Sequence, residues 1–272
     1  MPVADQVAVI TGASSGIGRA LAELLARRRC KLGLIARRRS LLDELAGKLR
    51  ETGAAVEVAT ADVADRDQLL QAFAHLREKL GPVDVMIANA GVNTPNGLDP
   101  WDAPGQLHVF RVNLFGVIVA IEAVLPEMLA RKSGRIAAVS SLGADRGVPP
   151  YAAYCASKAA VNVYMDALRM QVRGTGVLVT NLVPGYVRTP MVEGVPRPMR
   201  FILEPEVAAE RMLRAIERGV AVYRFPLPSS LFMRMVRVLP DWIVARGMES
   251  REGEAPAEPS GPARQEPRPP VL

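Results

Sequence analysis

The most constraining feature of the chain is a regular alternation of short apolar runs with segments of helical periodicity. Apolar runs of strand length lie near 6–10, 31–36, 55–59, 83–88, 134–140, 176–182 and 220–225. Helical spacing occupies most of the gaps, at 16–29, 40–51, 66–80, 105–131, 151–173 and 204–218. Most of the apolar runs are continuous, which is typical of strands in a sheet covered on both faces. The alternation therefore predicts an α/β fold, a doubly wound parallel sheet of about seven strands with helices on both faces.

The chain divides into one large unit and two short C-terminal segments. Its 272 residues, 49% of them hydrophobic, can bury one large core, which we place in a single domain over 1–228. An amphipathic helical segment follows over 229–248, and Pro240 should divide it into two short helices. From 249 to 272 the chain carries charges and prolines but no aromatic residue, so we expect a disordered tail there.

Several features bear on the location of the chain. No apolar run reaches the roughly 18 residues of a membrane-spanning helix, and the N-terminus MPVADQ lacks the basic start of a signal peptide. The cysteines, Cys30 and Cys155, form no CxxC pair, which favours a reducing cytoplasm. The segment 229–247 is apolar at helical spacing with arginines among it. Such a segment either packs on the protein, the commoner outcome, or lies on an anionic membrane surface.

Metal ions and nucleic acids are not expected ligands. His75 and His108 have no cysteine or acidic ligand at metal-binding spacing, so no zinc site is predicted. The net charge of +6 invites a nucleic-acid interpretation, but only 5% of the residues are aromatic and no stacking motif is present. A smaller anion is a better partner for the arginines.

A glycine turn joins the first strand to the first helix. The sequence TGASSGIG occupies 11–18, and a helical pattern begins at once. Glycines allow the backbone to turn sharply and to approach a ligand closely. The unpaired N–H groups at the start of the helix then favour a phosphate group.

A second motif, YAAYCASK at 151–158, places a tyrosine four residues before a lysine. Four residues advance about 6 Å along a helix and return to nearly the same face, so Tyr154 and Lys158 should be neighbours. An adjacent ammonium favours phenolate, so we expect a lowered pKa for Tyr154. Such a tyrosine can give a proton to a carbonyl oxygen or take one from an alcohol.

The TGxxxGxG turn followed by YxxxK resembles the short-chain dehydrogenase/reductase family, from about residue 5 to 225. The Asn89-Ala90-Gly91 segment is similar to the family's NNAG motif, with Ala88 replacing its first asparagine. The resemblance implies a Rossmann-type fold and a dinucleotide cofactor. It implies the following cofactor-binding residues: Gly12, Ser14, Ser15, Gly16, Ile17, Gly18, Arg37, Arg38, Asp62, Val63, Asn89, Ala90, Gly91, Tyr154, Lys158, Pro184, Gly185, Val187 and Thr189.

The resemblance also implies four catalytic residues. Tyr154 would be the general acid and base, and Lys158 would hold the nicotinamide ribose beside it. Ser141 would hydrogen-bond the reacting oxygen. Asn113 resembles the family residue that keeps a water chain to the lysine in place. Some members of the superfamily bind dinucleotide without turnover, so a sensor or regulatory protein is the alternative; such proteins commonly lack the tyrosine or the lysine.

The end of the second strand favours NADP over NAD. NAD sites place an acid there for the ribose hydroxyls, whereas this strand ends in Ala36 and continues with three arginines. Arg37 is the first candidate for a 2′-phosphate contact and Arg38 the second, whereas Arg39 should face water. Solvation of a helix start remains the alternative interpretation of these arginines.

The loop after Pro184-Gly185 is where the family varies its substrate contacts. Here it runs from Tyr186 to Leu203 and carries a series of apolar residues: Met191, Val192, Val195, Met199, Phe201 and Ile202. An apolar lid predicts an apolar ketone or alcohol as substrate, although the loop could also pack on its own domain. Relatives pair through helices that match 105–131 and 151–173, so we expect a homo-oligomer.

Overall fold

A computed structural model describes residues 3–192 and 201–252, with side chains described as far as residue 246. Its centre is one sheet of seven parallel strands in the order β3-β2-β1-β4-β5-β6-β7. From β1 to β7 the strands are Val7–Thr11, Lys31–Ala36, Val56–Thr60, Val85–Ala88, Gly134–Val139, Val177–Pro184 and Val222–Phe225. The predicted doubly wound parallel sheet is confirmed.

Helices cover both faces of the sheet. From α1 to α9 they are Gly16–Arg27, Arg39–Glu51, Arg66–Leu80, Ala103–Phe110, Gly116–Arg131, Ala152–Gln171, Pro205–Glu217, Leu227–Val238 and Asp241–Glu252. Buried residues of α1, α2 and α7 form one core with the sheet, and those of α3, α5 and α6 form a second on the opposite face. The continuously apolar strands are explained by this burial on both sides.

The strand order reverses between β1 and β4, which are neighbours in the sheet. From β1 the sheet continues to β2 and β3 on one side of this boundary. From β4 it continues to β5, β6 and β7 on the other side. A crevice opens at the carboxyl edge of such a switch point, because the two connections leave in opposite directions. The glycine turn after β1 and the Asn89 segment after β4 both lie at this edge.

The helices α4 and α5 are joined without a break by a π-helical segment, Arg111–Phe115. The sequence predicts a single helix here but not its widened turn. By length and mean hydropathy the combined helix, Ala103–Arg131, could cross a membrane, although no uninterrupted apolar run is that long. Its α5 part packs against α3, β4 and β5 through buried residues such as Ala120 and Met128, as a core helix does.

The C-terminal segment forms two helices, as the position of Pro240 predicts. α8 ends at Val238 and α9 begins at Asp241. α9 continues to Glu252, past the predicted end of the helical segment at 248, and the division of the chain into domain, helical segment and tail stays a prediction. The rest of the predicted tail, 253–272, lies outside the described residues.

Candidate active site

The glycine turn is tightly packed and leaves the start of α1 without a side-chain cap. Gly12 and Gly16 have φ values of +68° and +55°, in the left-handed region that favours glycine. A Cβ on Gly18 would lie 2.3 Å from the carbonyl oxygen of Gly12. Ser15 is the N-cap residue, but its side chain makes no capping hydrogen bond. The first N–H groups of α1 therefore fit the pyrophosphate of a dinucleotide.

Asn89 braces this turn from the neighbouring strand. Its Nδ2 donates to the carbonyl oxygens of Thr11 and Gly12 at 3.1 and 3.2 Å. The backbone N–H groups of Asn89 and Ala90 in turn donate to Thr11 Oγ1 at 3.1 and 3.2 Å. Thr11, which was not among the predicted site residues, thus connects the end of β1 to the segment after β4 at the base of the crevice.

The two arginines after β2 point to different places. Arg38 Nη2 donates to Ser14 Oγ at 2.9 Å and to Ser15 Oγ at 2.7 Å, so it reaches into the glycine turn. Arg37 Nη1 lies 3.6 Å from Asp62 Oδ2, on the loop after β3. Arg38, the second of the two predicted candidates, therefore lies beside the two serines, and which arginine contacts a 2′-phosphate stays a prediction.

The loop after β3 is held by its own hydrogen bonds. Asp62 Oδ1 accepts from the backbone N–H of Ala64 at 2.9 Å, and the Asp62 N–H donates to Gln68 Oε1 at 3.1 Å. Val63 is buried and packs on Gly116 at the start of α5. Both residues lie at the same carboxyl edge as the glycine turn, as predicted.

Ser141, Tyr154 and Lys158 come together beyond β5. Ser141 begins a short 3₁₀ turn, Leu142–Asp145, and its Oγ accepts from Gly143 N at 3.0 Å. The Ser141 and Tyr154 side chains are neighbours, since a Cβ on Gly143 would lie 3.4 Å from Ser141 Oγ and 3.5 Å from Tyr154 Cε1. Lys158, one helical turn further along α6, places its Nζ 6.0 Å from the centre of the Tyr154 ring. The predicted neighbourhood of the tyrosine and the lysine is therefore confirmed.

The adjacent ammonium does not by itself lower the pKa of Tyr154, and the lowering expected from the positive ring of an oxidised cofactor stays a prediction. Burial raises the pKa of Tyr154 to about 12, an effect that its hydrogen bond with Ser141 only partly offsets. Burial also lowers the pKa of Lys158 to about 8. The Lys158 ammonium donates to the Val139 carbonyl at 2.8 Å, so it is directed at the backbone of β5 rather than at the phenol. The phenol is consequently protonated at neutral pH and is available as a proton donor.

Asn113 lies in the π-helical segment and is fully buried. Its Oδ1 accepts from Val92 N at 2.8 Å, and its Nδ2 donates to Val92 O and to Ser157 Oγ, both at 3.0 Å. A Cβ on Gly91 would lie 3.3 Å from Asn113 Oδ1 and 3.4 Å from Lys158 Nζ. The wide π turn thus brings Asn113 to the lysine side of the site. Its predicted water chain stays a prediction.

The segment after β6 closes the site from the other side. Thr189 approaches the glycine turn, since a Cβ on Gly16 would lie 2.8 Å from Thr189 Cγ2. Val187 is buried and pairs in a single parallel bridge with Leu203. Gly185, after Pro184, is packed so closely that a Cβ there would lie 3.3 Å from Leu142 Cδ1. The loop residues Val195 and Met199 lie outside the described residues.

Three residues near the site were not predicted from the sequence: Ser157, Asp145 and Arg146. Ser157 had a local signal, its position beside Lys158, but its bond to Asn113 joins residues 44 apart in the chain. Asp145 and Arg146 make ion pairs with residues of β7 and α9, respectively.

In residues 3–192 and 201–246, no group of three His, Cys, Asp or Glu side chains is arranged to hold a metal ion.

Comparisons with known proteins agree with this architecture. A protein of Myxococcus xanthus (strain DK1622) described as an uncharacterized oxidoreductase is 39% identical over 238 residues, which cover 87% of this chain and 93% of the relative. A crystal structure of an actinorhodin polyketide ketoreductase variant with NADPH has a TM-score of 0.75 and 28% identity, and covers 85% of this chain and 99% of the other. The 3-ketoacyl-(acyl-carrier-protein) reductase of Brucella melitensis, complexed with NADH, has a TM-score of 0.76 and 26% identity, with coverage of 84% and 99%.

The family comparison covers most of the chain. The model of the short chain dehydrogenase family matches residues 6–199, which include the glycine turn, Asn113, Ser141, Tyr154 and Lys158. The relative in Myxococcus xanthus extends the likeness beyond that range. The chain belongs to the short-chain dehydrogenase/reductase family and is an oxidoreductase of that type.

Proposed function

We propose that the protein transfers a hydride between NADP(H) and the carbonyl or secondary alcohol of an apolar substrate, with Tyr154 as general acid and base. The observation that carries this proposal is the close approach of Ser141 and Tyr154 around Gly143, with Lys158 one helical turn away. The pair stands at the same edge of the sheet as the uncapped start of α1, where a dinucleotide would bind.

The chemistry of the site follows from the protonation of these groups. A bound nicotinamide supplies or accepts the hydride. Tyr154, protonated because its pKa is about 12, gives its proton to the carbonyl oxygen in reduction and takes one back in oxidation. Ser141 donates a hydrogen bond to the same oxygen and stabilises the charge that develops on it. Lys158, with a pKa of about 8, is suited to return a proton toward the phenol and to hold the nicotinamide ribose.

The arginines after β2 support NADP rather than NAD. Arg38 is hydrogen-bonded to the hydroxyls of Ser14 and Ser15. Its guanidinium and the two hydroxyls therefore form one cluster of donor groups at the glycine turn. A 2′-phosphate is a strong acceptor for such a cluster, and Ala36 provides no carboxylate to repel it. Arg37, beside Asp62 on the loop after β3, contributes a second positive charge at the same edge of the sheet.

An apolar substrate is supported by the residues on the open side of the site. Tyr186, Met191 and Phe201, on the segment after β6, have 40%, 40% and 58% of their surface exposed. Exposed apolar side chains beside a catalytic crevice are covered when a ligand of matching character binds. Lipid-derived, steroid-like and aromatic ketones all have this character.

The protein is proposed to act in the cytoplasm as a homo-oligomer. Side chains on the outer surface of α4 to α6 are apolar and exposed: Leu107, Phe115, Val163 and Met170. Peripheral membrane contact through 229–247 is the further possibility. It is supported by exposed apolar residues of α8, such as Leu231 and Met235, near Arg234 and Arg237.

The direct test is to incubate the protein with NADPH and a broad panel of aldehydes and ketones. We expect oxidation of NADPH with at least one apolar carbonyl compound and weaker use of NADH. If NADPH binds but none of the panel is reduced, the enzymatic proposal is wrong and the protein acts as a dinucleotide sensor.

A further inference from the structure

The turn that begins with Ser141 is tied at its far end to the C-terminal part of the chain. The turn spans Leu142–Asp145, and Arg146 follows it directly. It packs on α6, which carries Tyr154, and on α8. Its last residue and the next one are both charged, and both bind residues more than 75 positions later in the chain.

Asp145 forms the inner attachment. Its carboxylate pairs with Arg224 on β7, and the side chains are only 9% and 18% exposed. Arg224 Nε also donates to Ser230 Oγ on α8 at 3.1 Å, and Ser230 is buried. A shielded ion pair with a further hydrogen bond has a fixed geometry, because separating the charges would leave them buried without partners. This contact therefore locks the end of the turn to β7 and α8.

Arg146 forms the outer attachment. Its Nη1 donates to the carbonyl oxygens of Arg237 and Leu239 at 3.0 and 2.9 Å, and its Nη2 pairs with Asp241 at the start of α9. The last carbonyls of a helix have no partner within the helix and carry its negative dipole end, so a guanidinium binds them well. Arg146 thus fixes the junction of α8 and α9 against the Ser141 turn.

The same helix also touches the opposite side of the site. A Cβ on Gly185 would lie 3.2 Å from Pro226 Cδ, 3.3 Å from Leu142 Cδ1 and 3.5 Å from Ser229 Cβ. The start of α8 and the Ser141 turn therefore meet at Gly185, one of the predicted cofactor-binding residues. α8 lies against both of these parts of the site.

We propose that Asp145, Arg146 and Arg224 are positioning residues, through which α8 and α9 hold the Ser141 turn in its reactive geometry. Two local bonds hold Ser141 on the turn: Gly143 N donates to its Oγ at 3.0 Å, and Ala144 N donates to its carbonyl oxygen at 3.1 Å. The two attachments restrain the other end of a turn only four residues long. The C-terminal helices are in this way part of the catalytic apparatus, and the inference rests on the proposed role of Ser141.

The test compares Arg146→Ala with Arg131→Ala as a matched control. Arg131 also binds a carboxylate and a backbone carbonyl, at Asp84 and Val83, but it lies at the far end of α5. We expect amide hydrogen exchange at 142–146 to become about tenfold faster or more in Arg146→Ala and to stay unchanged in the control. We also expect kcat to fall about tenfold, while the Kd for NADPH changes less than about twofold.

Two further variants guard against simple loss of folding. Asp241→Asn removes one partner of Arg146 at a fully exposed position, so it should fold and give a smaller rise in exchange at 142–146. Arg146→Lys keeps a cation that can reach the helix carbonyls and should restore most of kcat.

The inference is overturned if exchange at 142–146 is unchanged in Arg146→Ala, or if it rises equally in the Arg131→Ala control. The measurement does not depend on the substrate. If the wild-type protein reduces no carbonyl compound, the proposed function is refuted. Amide hydrogen exchange at 142–146 in Arg146→Ala and Arg131→Ala would still show whether the contacts of Asp145 and Arg146 hold the turn.

Discussion

At the scale of single residues, desolvation decides the charge state of the proposed acid. The Lys158 ammonium is close enough to be a neighbour of the Tyr154 ring, at 6.0 Å from its centre, but burial raises the tyrosine pKa to about 12. A phenol of this kind is fully protonated across the physiological range. In the proposed mechanism the phenol is therefore in the protonated form that reduction of a carbonyl requires.

Replacing Tyr154 tests the proton transfer directly. Tyr154→Phe keeps the ring and its packing but removes the transferable proton, so kcat for carbonyl reduction should fall by about a hundredfold or more. The Kd for NADPH, measured by fluorescence titration, should change less than about twofold, because the hydroxyl bonds Ser141 rather than the glycine turn. Near-normal kcat in this variant would refute the assignment.

The raised tyrosine pKa also predicts how the two reaction directions respond to pH. Below a pKa of about 12, the phenolate fraction rises about tenfold per pH unit, whereas the phenol fraction stays close to one. In initial-rate profiles from pH 6 to 8, kcat/KM for alcohol oxidation should therefore rise with pH, and kcat/KM for reduction should stay nearly level. A steep fall of the reductive rate between pH 6 and 7, below the pKa of about 8 that burial gives Lys158, would show that the phenol is already ionising.

The arginines after β2 can be distinguished by their cofactor affinities. Arg38→Ala should weaken NADPH by about 1.5–3 kcal/mol, the scale of a hydrogen bond to a charged group, and should weaken NADH much less. Arg37→Ala, in contact with Asp62 instead, should have a smaller effect. Arg39→Ala is the matched control, because Arg39 pairs with Asp43 on the exposed side of α2. Equal losses for NADPH and NADH in Arg38→Ala would mean that Arg38 only supports the turn.

At the scale of secondary-structure elements, the ends and irregularities of the helices build the site. α1 presents its uncapped start to the crevice, and the π-helical segment turns Asn113 toward the lysine. A widened turn adds one residue to the local period and shifts the faces of the helix that follow it. Such segments are found at functional sites because they aim a side chain that a regular helix would direct elsewhere.

The two C-terminal segments should differ sharply in their contribution to stability. Removing 253–272 should leave the unfolding temperature and turnover nearly unchanged, because its composition provides few residues to bury. Removing 229–272 deprives Arg224 and Arg146 of hydrogen-bond partners, so the free energy of unfolding should fall by about 1–3 kcal/mol. Chemical denaturation of both truncated proteins measures the difference.

Vesicle binding provides the control for this truncation. If the protein without 229–272 keeps its stability and turnover and loses only binding to anionic vesicles, α8 and α9 act as a membrane anchor. Their packing on the Ser141 turn would then be of no consequence.

At the scale of the whole molecule, two cores on either side of one sheet hold the site rigidly at the carboxyl edge. The outer faces of α4 to α6 carry exposed apolar residues, among them Val163 and Met170, which are exposed by 70% and 69%. Large exposed apolar areas on a folded domain commonly mark an interface. We therefore expect association of the protein through these helices.

Sedimentation velocity tests this association. Val163→Glu places a charge in the centre of the proposed interface and should convert the oligomer to smaller species, because an unpaired charge is costly to bury. Leu231→Glu is the control, since Leu231 is also exposed but lies on α8. A wild-type monomer, or dissociation only in the control variant, would show that α4 to α6 are not the interface.

The sequence by itself determined the sheet, the glycine turn and the pairing of Tyr154 with Lys158. Each of these depends on local order: apolar runs of strand length, glycines directly after a strand, and a spacing of four on one helix. Pro240 likewise divided the C-terminal helices as the restriction of its backbone requires.

Only the tertiary structure decided the rest, because it depends on groups far apart in the chain. The contact of Arg38 with the serines after β1 depends on how β1 and β2 lie together, and the tyrosine pKa on how much protein surrounds the phenol. The attachments of Asp145 and Arg146 to β7, α8 and α9 left no local pattern. Local spacing specifies which residues are neighbours on one element, whereas burial and contacts between elements exist only once the chain has folded.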